Sequence, residues 1–266
     1  MIEAIPLGSL AISKTNAAGP QPSLADRAYH LILDQMLRGS LPVGSVLSRR
    51  RLAERFNMSL VPVAQALQRL EIEGLLESRP RAGTRVKVPD AQEIREHFEL
   101  RQALEGQSAR LCAERATFQE RLELKRLAAN VDALYANPPV GNPAEDWSFA
   151  VNEVHVDLHM RIAEYARCGL LRSEIEKSHV LIFNWLYDTT RGQRILPPNF
   201  HQDLIGTIAE GDPRKALEAM EAHVSYGLKS IQVAMEPLIR RDWRLKHEPK
   251  PKLRLARRLK RRRPIV

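Results

Sequence analysis

Apolar side chains recur every three to four positions along most of this chain, which is the spacing of one face of an α-helix. Near the start, the pattern covers residues 24–38, then Arg49–Phe56, and then a segment between Ser59 and Gly74. Serine commonly caps the start of a helix by accepting a hydrogen bond from a free amide, and glycine commonly follows a helix end. The pattern therefore predicts three helices, with a tight break at Asn57 before the third.

The periodicity changes from helical to alternating after the third helix. Two short strands are predicted, Leu75–Ser78 and Thr84–Val88, with a turn at residues 81–83 between them. Three helices followed by a basic hairpin are typical of a winged helix-turn-helix, whose recognition helix enters the major groove of duplex DNA. We therefore predict a DNA-binding domain over residues 24–89, preceded by a loose lead of residues 1–23.

Beyond this domain the sequence carries no convincing strand pattern. Helical patterns follow one another instead, and six helices are expected, at residues 91–115, 118–135, 146–166, 170–190, 198–210 and 213–240. Consecutive amphipathic helices joined by short loops favour a bundle. The predicted fold is thus mainly α, with an N-terminal winged helix-turn-helix and a C-terminal all-α bundle of six or seven helices over residues 90–240.

Charge is distributed unevenly along the chain. The whole sequence has a formal net charge of +9, yet residues 240–266 alone carry 13 Lys and Arg against two acidic residues, a net charge of +11. Residues 24–90 carry a net charge of +4, with 11 basic against 7 acidic side chains. This pattern suits a nucleic-acid binder with a separate second domain. Residues 241–266 are expected to form a basic, disordered tail that contacts a polyanion.

The cysteines and the hydropathy of the sequence indicate in which cellular compartment the protein is found. The two cysteines, Cys112 and Cys168, lie in helical patterns and not at metal-ligand spacing, which favours buried, reduced thiols. No apolar run approaches the roughly 18 residues of a membrane span, and the first 20 residues lack the features of a signal peptide. We therefore expect a cytoplasmic protein with no membrane partner.

Four of the eight histidines are spaced for a possible metal site. His155 and His159 are four residues apart and so project from the same helix face, while His201 and His223 lie on two later helices. The alternative is that these are unrelated helical histidines. No Glu follows His155, so the segment lacks the general base of the H-E-x-x-H metalloprotease motif.

Several motifs in order point to one family. The first half contains L-S-x-R-x-L-A at 47–53, P-V-x-x-A-L-x-x-L-E at 62–71, E-G-L at 73–75 and G-T at 83–84. The second half contains E-L-R-Q-A-L-E at 99–105, L-H at 158–159 and H-x6-I-x-x-G-D-x3-A-x6-H at 201–223. Over residues 24–235 this sequence resembles the GntR family of bacterial transcription factors, in the branch with the fatty-acid-regulator-type C-terminal (FCD) effector domain.

The resemblance implies that the protein binds double-stranded operator DNA as a homodimer. Residues expected at the DNA are Arg49, Arg50, Arg51, Ser59, Leu60, Val61, Gln65, Arg81, Gly83, Thr84 and Arg85. The family usually carries arginine at the positions of Leu60, Ala64 and Ala82, whereas Arg50 is kept. The protein is therefore expected either to read an unusual site or to bind DNA mainly by charge.

The resemblance also implies a metal and an effector in the C-terminal domain. The expected cofactor is a divalent transition metal, most simply Zn²⁺ or Ni²⁺, held by His159, His201 and His223, with His155 where the family has aspartate. Arg101, Asn184 and Tyr187 are expected to bind a small carboxylate effector. The alternative for Arg101 is a surface residue paired with Glu105, four residues along the same helix.

The function implied is that of a ligand-responsive transcriptional regulator and not an enzyme. Two alternatives stay open from the residues. One is an architectural DNA binder led by the basic tail, with a vestigial sensor domain. The other is a metal-dependent hydrolase, which is disfavoured because no nucleophile motif such as G-x-S-x-G is present.

Overall fold

The computed structural model describes residues 22–79, 83–137, 144–188 and 196–247. Within these ranges the chain forms ten helices and three short strands. In chain order they are α1 (Leu24–Leu37), β1 (Val46–Leu47), α2 (Arg49–Phe56), α3 (Leu60–Ile72), β2 (Leu76–Arg79), β3 (Gly83–Val86), α4 (Ala91–Arg115), α5 (Phe118–Ala136), α6 (Ala144–Tyr165), α7 (Gly169–Lys177), α8 (Val180–Asp188), α9 (Phe200–Glu210) and α10 (Pro213–His247).

The first six elements form the predicted winged helix-turn-helix. A three-stranded antiparallel sheet in the order β1-β3-β2 lies beside the three helices. The predicted hairpin is present, but β1 was not predicted, because two residues are too few to show an alternating pattern. Asn57 adopts a left-handed conformation in the turn between α2 and α3. Ser59 occupies the N-cap position of α3 as predicted, but its side chain makes no capping hydrogen bond.

Seven helices, α4 to α10, form the C-terminal bundle among the described residues. The long helices α4 and α10 pack against each other along much of their length. The single helix expected over residues 170–190 is in fact two, α7 and α8. The break lies at His179, whose φ of 52° is in the left-handed region and cannot belong to a right-handed helix.

Helix α10 is longer than predicted. It continues to His247, seven residues beyond the expected end at residue 240, so residues 241–247 are helical and do not belong to a disordered tail. Asp242 is buried on this extension and pairs with two arginines of the wing. The end of α10 therefore packs on the DNA-binding domain. The net charge of the segment does not reveal this contact, because it is made with residues far away in the sequence.

The two predicted domains contact each other through buried and half-buried polar groups. The indole of Trp185 in α8 donates a hydrogen bond to the carbonyl of Leu37 in α1. Glu73, just after α3, accepts a hydrogen bond from Tyr29 at 2.7 Å and lies 3.4 Å from His179 Nε2. Burial alone would raise the pKa of Glu73, but the hydrogen bonds from His179, Tyr29 and Arg69 lower it to about 2. None of the helices in the described ranges could cross a membrane.

Candidate metal centre and DNA-binding surface

Three histidines converge inside the C-terminal bundle. His155 and His159 project from one face of α6, and His223 reaches the same point from α10. One ring nitrogen from each lies within 4.8 Å of the others, and the Nε2 atoms of His155 and His159 are 3.0 Å apart. All three side chains are buried. This is the separation expected of nitrogens that share a single ion, since Zn–N bonds are about 2.0–2.1 Å long.

His201, the fourth predicted ligand, lies beside this cluster. It is the second residue of α9, and its ring centroid is 4.9 Å from that of His155 and 5.2 Å from that of His223. The structure therefore brings all four predicted histidines together from three helices. The set His155, His159 and His223 is the one whose nitrogens are already within coordinating distance of one another.

A buried carboxylate, Glu105, and a half-buried one, Asp132, lie against the outer sides of these rings. Oε2 of Glu105 in α4 lies close to Nδ1 of His159, and Oδ1 of Asp132 in α5 lies 2.6 Å from Nδ1 of His201. A carboxylate at Nδ1 favours the tautomer that leaves Nε2 free for a metal, which is the common outer arrangement of histidine metal sites. The residues present therefore fit a divalent transition metal.

The charge on both carboxylates is stabilised by their partners. Burial alone would raise the pKa of Glu105, but Arg101 and His159 lower it to about 2. Burial likewise raises the pKa of Asp132, yet hydrogen bonds from the side chain of His201 and the amides of His201 and Gln202 lower it overall. Two negatively charged carboxylates therefore lie directly beside the histidine rings. They are present although His155 stands where the family has an aspartate ligand.

Sequence reasoning did not identify these two carboxylates as part of the site. From the sequence, Glu105 was considered only as a surface partner of Arg101, four residues away on the same helix. Asp132 has no motif spacing to any histidine. Because it meets His201 only through the packing of α5 against α9, no local sequence signal could have found it.

Arg101 and Asn184 meet beside the histidines. Arg101 donates from Nη1 to Oδ1 of Asn184 at 2.6 Å, and from Nε to Oε1 of Glu105 at 2.6 Å. The pairing with Glu105 is as the alternative predicted, but the surface position is wrong, because the side chains of Arg101 and Glu105 are both 3% exposed. The side chain of Tyr187 lies outside the described part of the chain.

The first two turns of the recognition helix α3 present uncharged side chains to solvent. Leu60 and Val61 are 56% and 65% exposed, and Gln65 is exposed one turn later. Beside them Ser59 is exposed, as are Arg49, Arg50 and Arg51 at the start of α2. Arg50 pairs with Glu54 at 2.9 Å on the surface, so its guanidinium stays accessible.

The wing residues differ from this exposed set. Gly83 is exposed with a φ of 80°, a conformation that favours glycine, and Thr84 is half-buried with its hydroxyl 3.1 Å from that of Ser78. Arg85 is buried, with 9% of its surface exposed, and is held by two carboxylates. Arg81 lies outside the described residues.

Comparison with known proteins gives the family. The model of the bacterial regulatory proteins of the gntR family matches residues 24–86, and the model of the FCD domain matches residues 96–226. The chain belongs to the GntR family. It is a transcriptional regulator of the GntR/FCD type with a DNA-binding helix-turn-helix.

Relatives and solved structures agree with this assignment. The chain is 23% identical over 223 residues to the transcriptional repressor RspR of Escherichia coli, covering 80% of this chain and 91% of that protein. It is 34% identical over 91 residues to the "Probable D-xylose utilization operon transcriptional repressor" of Paenarthrobacter nicotinovorans, spanning 34% of this chain and 40% of that relative.

Two solved structures share the fold. They are E. coli McbR/YncC, with a TM-score of 0.63 at 20% identity, and a GntR regulator from Rhodococcus, with a TM-score of 0.64 at 19% identity. The first match covers 82% of this chain and all of that chain, and the second covers 80% and 99%. Winged helix-turn-helix and helical bundle are therefore confirmed as the fold.

Proposed function

We propose that this GntR regulator is cytoplasmic and homodimeric, and that its C-terminal bundle senses a small carboxylate through a divalent metal, most simply Zn²⁺ or Ni²⁺. The observation that supports this most strongly is the convergence of His155, His159 and His223 within 4.8 Å, with Glu105 behind one ring. Imidazole nitrogens are common ligands of divalent transition metals, so buried rings that converge in this way favour a bound ion.

When bound, the ion would supply a coordination position for an oxygen of the effector. The chain's own residues would do the rest. Glu105 and Asp132 hold the histidine rings in orientation, and the Arg101 guanidinium beside them offers charge-assisted hydrogen bonds to a second carboxylate oxygen. Asn184 fixes one branch of that guanidinium, which preorganises it for a ligand.

Binding, and not catalysis, is the role we assign to this centre. A metal-dependent hydrolase needs a carboxylate or similar base placed to activate a water molecule. Among the described residues, the carboxylates that contact the histidine cluster are Glu105, which also pairs with Arg101, and Asp132, which contacts His201. Their function is then to orient ligands.

Regulation requires that the effector bind the DNA-competent and DNA-incompetent forms unequally. A homodimer is proposed because helix-turn-helix regulators commonly read two half-sites, one for each recognition helix. The contacts proposed for DNA are those named above on α2, α3 and the wing, including Arg81 and Arg85. The competing function is that of an architectural protein that binds DNA through its basic tail. Such a protein would bind different DNA sequences with similar affinity, whereas a specific regulator would not.

Elemental analysis of the purified protein, combined with footprinting on DNA upstream of its own gene, tests the proposal. We expect about one transition metal per chain and a protected site with two halves. The double variant His159→Ala/His223→Ala should lose the metal, while His30→Asn, on α1 away from the cluster, should keep it. Equal metal in the double variant and wild type would refute the site, and equal affinity for all duplexes would favour the architectural alternative.

A further inference from the structure

The C-terminal extension of α10 contacts the wing through a cluster of four charged side chains. Arg79 Nη2 lies 3.3 Å from both carboxylate oxygens of Asp242, and Arg85 pairs closely with the same carboxylate. Glu77, the cross-strand partner of Arg85, lies 2.6 Å from Arg85 Nη2 and 3.1 Å from Arg79 Nη2. Two guanidinium groups are thus balanced by two carboxylates.

The contact is largely shielded from water. The side chain of Asp242 is 6% exposed and that of Arg85 11%, while Arg79 is 22% exposed. Charge pairs at such exposure are weakly screened by salt. The FCD model ends at residue 226, so Asp242 belongs to a helical extension beyond the matched domain.

The chemistry of this contact resembles that of a protein–phosphate contact. Arginine pairs with carboxylate and phosphate oxygens through the same forked geometry. The wing of a winged helix-turn-helix lies beside the duplex, and its cations are therefore placed to contact phosphates. In this structure Arg79 and Arg85, which would make such contacts, are paired with Asp242 instead.

We propose that Asp242 is an intramolecular latch, which substitutes for a DNA phosphate at Arg79 and Arg85 and must be displaced when the wing engages the duplex. The proposal rests on the DNA-binding function proposed above. It makes operator affinity depend on where the end of α10 lies. Helix α10 also carries His223, 19 residues before Asp242 and about 28 Å away along the axis, so one helix joins the histidine cluster to the latch.

The test compares two neutral replacements on the same helix. Asp242→Asn removes the carboxylate from the wing, whereas Glu236→Gln removes an exposed carboxylate that pairs only with Arg240 in the part of the chain described. Both change the net charge equally, so a general electrostatic effect on DNA would be common to them. Affinity for the footprinted duplex, and for a scrambled duplex of the same length, is measured by fluorescence anisotropy at several salt concentrations.

We expect Asp242→Asn to bind the duplex about threefold to tenfold more tightly than Glu236→Gln, with a log–log salt slope steeper by about 1 for each additional phosphate that the wing neutralises. The gain in affinity should be smaller in the double variant Arg79→Gln/Asp242→Asn, because one of the two guanidinium groups that Asp242 holds would be missing. Arg85 keeps Glu77 as a partner in these variants, so the wing should remain folded, and circular dichroism melting checks this.

Equal or weaker binding by Asp242→Asn, relative to Glu236→Gln, would overturn the latch. So would a gain in affinity that is undiminished when Arg79 is also replaced. If the wild-type protein bound neither duplex, the proposed DNA-binding function itself would fail, which is a different result from a wild-type protein that binds DNA but is insensitive to residue 242.

Discussion

The indole N–H of Trp185 donates a hydrogen bond to the backbone carbonyl of Leu37 at 3.1 Å, across the boundary between the two domains. Leu37 is the last residue of α1, where carbonyls lack partners within the helix. The residue before Trp185 is Asn184, which holds Arg101 at the candidate effector site. Two consecutive residues of α8 therefore contact the sensor site and the DNA-binding domain.

The first prediction concerns this contact. Trp185→Phe should lower the free energy of unfolding by roughly 1–3 kcal/mol, because the buried Leu37 carbonyl loses its donor. It should also reduce the effect of metal loading on DNA affinity. Trp147→Phe is the matched control, since the Trp147 indole N–H has no hydrogen-bond partner within the described ranges. Chemical denaturation and DNA titrations with and without Zn²⁺ measure both effects. A destabilisation equal to that of Trp147→Phe would contradict the prediction.

The second prediction concerns Glu105. Glu105→Gln should weaken metal affinity by about tenfold to a hundredfold, because the neutral amide orients and polarises the His159 ring less effectively than a carboxylate. Competition with a chelator of known affinity measures the change. Glu99→Gln, an exposed change on the same helix, should leave metal affinity unaltered. Unchanged metal affinity in Glu105→Gln would show that this carboxylate serves Arg101 alone.

The third prediction concerns base recognition by α3. Leu60 and Val61 cannot donate to a guanine edge, whereas an arginine can pair with it in two places, which is worth roughly 1–3 kcal/mol of discrimination. Arg50→Ala should lose most operator binding, and Leu60→Arg should change the preferred sequence. Binding selections on randomised duplexes at one fixed salt concentration test both variants. Wild-type affinity and preference in both would mean that DNA does not dock against α2 and α3.

The fourth prediction concerns the basic segment after α10. Residues 248–266 carry nine Lys and Arg against one Glu. Their deletion leaves α10 and Asp242 in place, and should weaken binding to operator and scrambled DNA together, with a flatter salt slope. Affinities for both duplexes at several salt concentrations give the answer. A deletion that reduced only operator preference would count against a purely electrostatic role.

Much of the fold follows from local patterns. Helices α2 and α4 begin and end at the predicted residues. Ser48 and Asp90 cap their starts, Asn57 follows the end of α2, and Thr117, the N-cap of α5, lies two residues after the end of α4. The break at His179 was missed, since a single left-handed residue between two helical patterns leaves no periodic signal. The end of α10 was missed because its stability depends on Asp242 meeting residues about 160 positions earlier.

The candidate site shows the same division. The pair His155 and His159 is predictable from helical spacing, and the grouping with His201 and His223 from the family resemblance. The orienting role of Asp132 depends on tertiary packing and was not predicted. The burial of Arg85 also depends on an interaction between distant segments, and it changes that residue from an exposed contact to one that must be released before it can reach DNA.

The end of α10 has a further consequence for the basic segment. His247 follows Asp242 by five residues, so the chain that continues beyond it is tethered about 8 Å along the helix axis from the wing contact. Tethering makes the second of two binding events intramolecular, at an effective concentration set by the length of the connecting chain. If residues 248–266 bind DNA as predicted above, a duplex held by the winged helix-turn-helix presents its phosphates to them at a high local concentration, and the length of α10 sets which stretch of DNA they reach.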